Sequence, residues 1–183
     1  MTFVIIPGLD GSDEQHWQTH WESGWLADAV RIQPSSWTSP DLADWSDAIT
    51  RAVENASGDI VFVTHSLGCH ALAHWLAAGP NSRVRGAFVV APPDPLAPTF
   101  PVERMPSFGS LPVRALGVPA VLIASTDDPY CTVDAAARLA AGWATPLITL
   151  ARLGHINSLG RWPQGRSLFT AYLAGLNLVP DQT

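Results

Sequence analysis

Six short apolar runs rich in β-branched residues recur along the chain, most with room for a helix between them. They are Phe3–Ile6, Ala29–Gln33, Asp59–Thr64, Gly86–Ala91, Pro119–Ser125 and Pro146–Leu150. A strand that is apolar on both faces must be covered on both, as in a parallel sheet sandwiched between helices. The stretches between the runs repeat at helical period. Trp17, Trp21 and Trp25 recur every four residues, and Leu42, Trp45, Ile49 and Val53 form a stripe behind Pro40-Asp41. A third helix is predicted from Leu67 to about Ala78, stopped by Gly79-Pro80, and two more over Val133–Trp143 and Gln164–Leu176. With 183 residues, 47% of them hydrophobic, the chain is long enough for one substantial core. The expected fold is a single α/β domain, 1–183, with a mostly parallel sheet of about six strands and helices on both faces. Its crossovers are right-handed and it has no separate cap domain.

One segment breaks the rhythm. From Pro92 to Pro119 prolines stand at 92, 93, 95, 98, 101, 106, 112 and 119, and no helical period is visible. Loops of this length in compact domains usually serve a site or are disordered. Phe100, Met105, Phe108 and Leu111 give it apolar anchors. It follows the C-terminal end of a strand, the edge at which open α/β sheets bind ligands, so we read 92–119 as an excursion near that edge.

Charge and composition remove several function classes. A formal charge of −6 offers no basic surface for nucleic acid. No apolar run is long enough to span a bilayer. Met1 to Pro7 has neither the charged leader nor the long apolar segment of a signal peptide and reads as a first strand, so the expected location is cytoplasmic. All ten basic residues are arginine, which excludes Schiff-base catalysis, a Ser-Lys dyad and a P-loop lysine. Cys69 and Cys131 read as reduced packing thiols.

The chemistry centres on Ile60-Val61-Phe62-Val63-Thr64-His65-Ser66-Leu67-Gly68-Cys69, a strand, a tight turn with one serine, and a helix. This is the pattern of a nucleophile elbow, G-x-S-x-G, with Thr64 in the first glycine's place. A serine hydroxyl needs a base, and the base needs an orienting carboxylate. Along the chain an acid follows the fifth apolar run at Asp127-Asp128, and a histidine follows the sixth at His155. The order Ser, Asp, His at successive strand ends is that of α/β-hydrolases. Asp127 and Asp128 compete for the acid role. Pro129 forces Asp128 into an extended backbone from which its side chain projects, and Asp127 suits a capping role, so Asp128 is favoured. The oxyanion donors are expected to be the backbone N–H of Leu67, first in its helix, and of Leu9, in the loop that Gly8 lets turn tightly. Asp10 and Ser12 read as caps of the helix that follows. Tyr130, Asn157 and Trp162, close after the acid and the histidine, are the candidate pocket residues. His65 reads as a residue that shapes the turn. His16 with His20 and His70 with His74 are spaced four apart, as metal-binding pairs are, but lack the intervening glutamate of H-E-x-x-H. We read them as structural, and no metal or cofactor is expected.

These residues resemble a known family, the small serine hydrolases related to retinoblastoma-binding protein nine and the bacterial YdeN proteins. The resemblance runs along nearly the whole chain. It includes Pro7-Gly8 with His16-Trp17, Pro40 with Asp44-Trp45, His65-Ser66-Leu67-Gly68 and Ala91-Pro92-Pro93. It continues through Ser125-Thr126-Asp127-Asp128-Pro129-Tyr130, Gly154-His155-Ile156-Asn157 and Gly160-Arg161-Trp162-Pro163. It implies a minimal α/β-hydrolase with a triad of Ser66, Asp128 and His155, and a first elbow position that need not be glycine. The implied activity is carboxylesterase-like, on small acyl esters through an acyl-enzyme. The alternative is a hydrolase-fold binding or protein-interaction module of low turnover, since the relative that names the family was described through a binding partner. The sequence names no partner for this chain.

Overall fold

Each apolar run becomes a strand: β1 (Thr2–Ile6), β2 (Ala29–Arg31), β3 (Ile60–His65), β4 (Val84–Val90), β5 (Ala120–Ser125) and β6 (Leu147–Leu150). The computed structural model describes residues 1–79 and 81–178, so Pro80, expected to stop the third helix, lies outside the described residues. All strand pairs are parallel, in the order β2-β1-β3-β4-β5-β6. The helices are α1 (Trp17–Gly24), α2 (Leu42–Asn55), α3 (Leu67–Ala77), α4 (Val133–Gly142) and α5 (Pro163–Gly175).

Strand residues alternate between two cores. Phe3, Ile5, Val61, Val63, Phe88, Val90, Val121 and Ile123 pack under α1 and α5, together with Trp17, Trp21, Trp162 and Phe169. Val4, Ile6, Ile60, Phe62, Ala87, Val89, Leu122 and Ala124 pack under α2, α3 and α4. The division follows from connection handedness. From β1 the chain steps one way to β2 through α1, then the other way through α2, α3 and α4, and right-handed crossovers in opposite directions place their helices on opposite faces. The strand order therefore reverses between β1 and β3, and a crevice opens at their C-terminal ends.

Side chains cap two helix starts: at α2 Asp41, where the sequence put it, accepts from the N–H groups of Ala43 and Asp44, and at α4 Thr132 accepts from Ala135 N–H. At α1 they differ from expectation. The cap is His16, whose ring accepts from Gln18 N–H. Asp10 instead meets Arg104, and Ser12 donates to Gln18 Oε1 at 2.8 Å.

Between β4 and β5 the proline-rich segment takes the place of a crossover helix. It buries Phe100, Met105, Phe108 and Leu116 in the α2–α4 core and forms one 3-10 turn, Pro106–Phe108, which the sequence did not announce. Phe108 packs edge-on against Trp45 at 5.7 Å. Among the described residues no helix is long and apolar enough to cross a membrane.

Candidate active site

β3 runs straight into α3 with one residue between them, and that residue is Ser66. Its backbone sits at φ 54, ψ −126, a conformation that serine adopts only when its surroundings enforce it. The enforcement is visible. Ser66 N–H donates to Val90 O at 2.9 Å, and α3 begins at the next residue. A side chain at position 68 would strike the carbonyls of Pro7 and Ile6, so only glycine lets α3 approach the end of β1. A Cβ on Gly8 would lie 2.6 Å from Ser66 Cβ, so the β1 loop also needs a glycine to pass the serine. Thr64 fits in place of the usual first glycine because its α3 neighbour is the small Cys69, to which its hydroxyl donates at 3.2 Å. Burial pushes the Cys69 thiol up to about 12, which leaves it a packing group.

Ser66 Oγ lies 2.8 Å from His155 Nε2, and His155 Nδ1 lies 2.9 and 3.0 Å from the two oxygens of Asp128. Asp128 is buried and also accepts from Tyr130 N–H at 2.9 Å. The structure thus brings together the three residues that the order along the chain singled out, at the C-terminal ends of β3, β5 and β6.

The loop carrying His155 is strained. Arg152, Gly154 and Ile156 all have φ between 50 and 58. For Arg152 and Ile156 that conformation costs about 1–2 kcal/mol each. Three consecutive side chains at the end of β5 hold its amides. Thr126 Oγ1 accepts from Arg152 N–H at 3.1 Å, Ser125 Oγ from Leu153 N–H at 2.9 Å, and Asp127 Oδ1 from Gly154 N–H at 2.8 Å. Asp127 also accepts from Ser125 Oγ–H, and these bonds hold its carboxyl below the usual carboxylate range. It therefore caps the histidine's loop and not the turn following it in sequence. On the opposite side α1 holds the carbonyls. Trp17 Nε1 donates to Ile156 O at 2.8 Å, Trp17 N–H to Asn157 O at 3.3 Å and Trp21 Nε1 to Arg161 O at 3.1 Å.

His65 and His16 complete this support. His65 Nε2 is 2.9 Å from His155 O, and His65 Nδ1 is 3.3 Å from His16 Nε2. Beside them Gln18, fully buried, donates to Ile6 O and Val63 O across the β1–β3 seam. No local pattern announces these contacts, because 49 residues separate His16 from His65.

A cavity of about 530 Å³ opens over Ser66. Leu9, Leu67, Tyr130 and Asn157 line it, as do Arg104 and Met105 of the proline-rich segment. The Tyr130 ring stands edge-on to His155 at 4.7 Å. Trp162 is a correction: it does not line the cavity. A left-handed backbone (φ 38, ψ 69) turns it inward, and the missing Cβ of Gly165 makes room for its indole, which packs on Trp17 and Trp21 at 5.1 and 5.8 Å. The histidine pairs are used separately. His16 turns to His65, and His70 Nε2 donates to Pro93 O at 2.7 Å, fixing the start of the excursion. Among the described residues no group of three or more His, Cys, Asp or Glu side chains forms a metal cage.

Residues 3–171 match a family profile described as serine hydrolase. A YdeN-like hydrolase from Pectobacterium atrosepticum is 30% identical, with a TM-score of 0.83, over 98% of this chain and 92% of its own. The ydeN gene product of B. subtilis is 21% identical, with a TM-score of 0.73, over 94% and 98%. A thermophilic esterase from Thermogutta terrifontis, solved with butyrate bound, shares the fold at 16% identity and a TM-score of 0.70, over 100% and 85%. No curated protein matches the chain.

Proposed function

This chain belongs to the serine hydrolase family, and on that premise we propose that it hydrolyses small acyl esters through a triad of Ser66, His155 and Asp128. The observation that carries this reading is the unbroken series of contacts from Ser66 Oγ through His155 to the buried Asp128 carboxylate. Ser66 Oγ attacks the ester carbonyl while His155 Nε2 takes its proton. Asp128 keeps the His155 proton on Nδ1 and stabilises the imidazolium that forms. The oxyanion faces the N–H groups of Leu67 and Leu9. The first lies at the positive end of α3, and the second belongs to the loop that Gly8 lets pass close to the serine. His155 then protonates the leaving alkoxide, which departs as the alcohol and leaves an acyl-Ser66. Water, deprotonated by His155, attacks that ester, and the acid is released as the proton returns to Ser66.

Cavity size supports a small substrate. About 530 Å³ is toward the lower end of the range for ligand pockets. It suits short acyl chains better than lipids.

The test is labelling with a fluorophosphonate probe, followed by turnover of p-nitrophenyl esters of increasing acyl length. We expect labelling of the wild type and none of Ser66→Ala or His155→Ala. Ser66→Ala loses roughly 10⁴-fold or more in kcat, and acetyl and butyryl esters turn over fastest. A folded wild type that neither labels nor turns over any ester would sink this reading in favour of a binding module on the same fold.

A further inference from the structure

We propose that His16 and His65 are positioning residues for His155, forming a directional hydrogen-bond chain from the N-terminus of α1 to the carbonyl of the base. The inference rests on the reading of Ser66 and His155 as nucleophile and base.

Its direction is set at both ends by backbone groups. Gln18 N–H, which can only donate, points at His16 Nδ1 from 3.1 Å. His16 Nδ1 is therefore bare, and the ring proton is on Nε2. That nitrogen faces His65 Nδ1 at 3.3 Å, so His65 accepts there and carries its own proton on Nε2. His65 Nε2 faces His155 O at 2.9 Å, and a carbonyl can only accept. One arrangement of protons satisfies all three contacts and uses every ring nitrogen. An added proton on either ring sets two donors face to face. Burial acts in the same direction. It lowers His16 to about 4, with Asp13 pulling upward and Arg31 and His155 downward, and it lowers His65 well below its ordinary value, reinforced by His16 and His155.

The arrangement answers two needs of the proposed reaction. His155 is borne on a loop with left-handed residues on either side of it, which holds its shape only while its polar groups stay bound. The Ser125–Asp127 side chains bind the amides before the histidine, and His65 binds the carbonyl of the histidine itself. The rings are also close, 4.6 Å between His16 and His65 and 5.0 Å between His65 and His155. An imidazolium forms on His155 in each half-reaction. A charged ring at that range would oppose it, and an uncharged one does not.

Ring-nitrogen correlation NMR of the wild type reads the chain directly. His16 and His65 are expected as neutral Nε2–H tautomers from about pH 5 to about pH 8. Either ring found as the Nδ1–H tautomer, or charged in that window, overturns the proposal. Kinetics read its consequence. His65→Ala is expected to lower kcat and the fluorophosphonate labelling rate roughly 10- to 100-fold, with KM changed less than about threefold. His65→Gln, whose amide reaches the same carbonyl, recovers most of that loss. Wild-type kcat in the alanine variant, or equal losses in both variants with equal drops in melting temperature, overturns the positioning role. A wild type that never labels overturns the esterase reading and the positioning role together, a failure the tautomers distinguish from a missing chain.

Discussion

Two loops cross the same edge of the sheet and are held in opposite ways. The stretch 152–157, which carries the histidine, is short and strained, and side chains from β5, β3 and α1 bind its backbone. The stretch 92–119 is long, and much of its backbone bonding is local, as from Phe100 N–H to Ala97 O and from Phe108 N–H to Met105 O. Long-range hold on it comes mainly from buried Phe100, Met105, Phe108 and Leu116, while Leu96 stands 82% exposed. Hydrogen bonds are directional and fix an atom in place, whereas apolar burial resists removal but tolerates sliding. An imidazole that must meet a hydroxyl at 2.8 Å calls for the first kind of hold, and a cavity wall needs only the second.

The contrast predicts that damage to the two loops separates stability from rate. The largest effect is expected from Phe108→Ala, which empties a fully buried site facing Trp45. It should cost about 3–5 kcal/mol in urea unfolding, with kcat of the surviving fold close to wild type. A collapse of kcat at preserved stability would break the comparison. Acid comes next. The folded state holds His16 neutral down to about 4, while the unfolded chain takes up that proton near its ordinary value of 6.5. The unfolded state therefore binds more protons in that window, and stability falls as pH drops from 6.5 toward 4, on the order of 3 kcal/mol from His16. His65 and His70, also lowered by burial, act in the same direction. Unfolding midpoints taken across this range should slope downward toward acid, less so in His16→Gln. Asp127→Ala should do the reverse of Phe108→Ala, lowering kcat roughly 10-fold with little change in melting temperature, because its carboxylate is exposed and its role is to hold Gly154 N–H. The smallest effect is expected from Arg104→Ala. Its ion pair with Asp10 is about half exposed on both sides, so the loss stays under about 1 kcal/mol. It should appear as a few-fold change in KM that shrinks as salt is added.

Strand and helix assignments came through because the pattern along the chain matched the burial it met. β3 and β5 are apolar on both faces and covered on both. β2 is shorter than the run Ala29–Gln33 because it is an edge strand that pairs only with β1. The positions of Ser66, Asp128 and His155 could be read because a parallel sheet puts every strand's C-terminal end on one side, so order along the chain becomes proximity in space. Trp162 departs from expectation because its nearness to His155 in sequence is not nearness in space. The left-handed turn at Trp162 and the bare Gly165 send the ring the other way. His16, Gln18 and Asp127 act through partners far along the chain, and neither periodicity nor propensity reports on such pairings.

The bond from Trp17 Nε1 to Ile156 O joins residues 139 apart in the chain. Synthesis runs from the N-terminus, so the rail on α1 exists long before the loop that will lie on it. In a chain still emerging from the ribosome Ser66 is made before His155, so on the proposed mechanism the serine is not yet activated. Closing a connection of that span is entropically expensive and slow. The docking of the histidine's loop onto α1 is therefore expected among the late events of folding, and reactivity toward a serine-directed probe would serve as a clock for its completion.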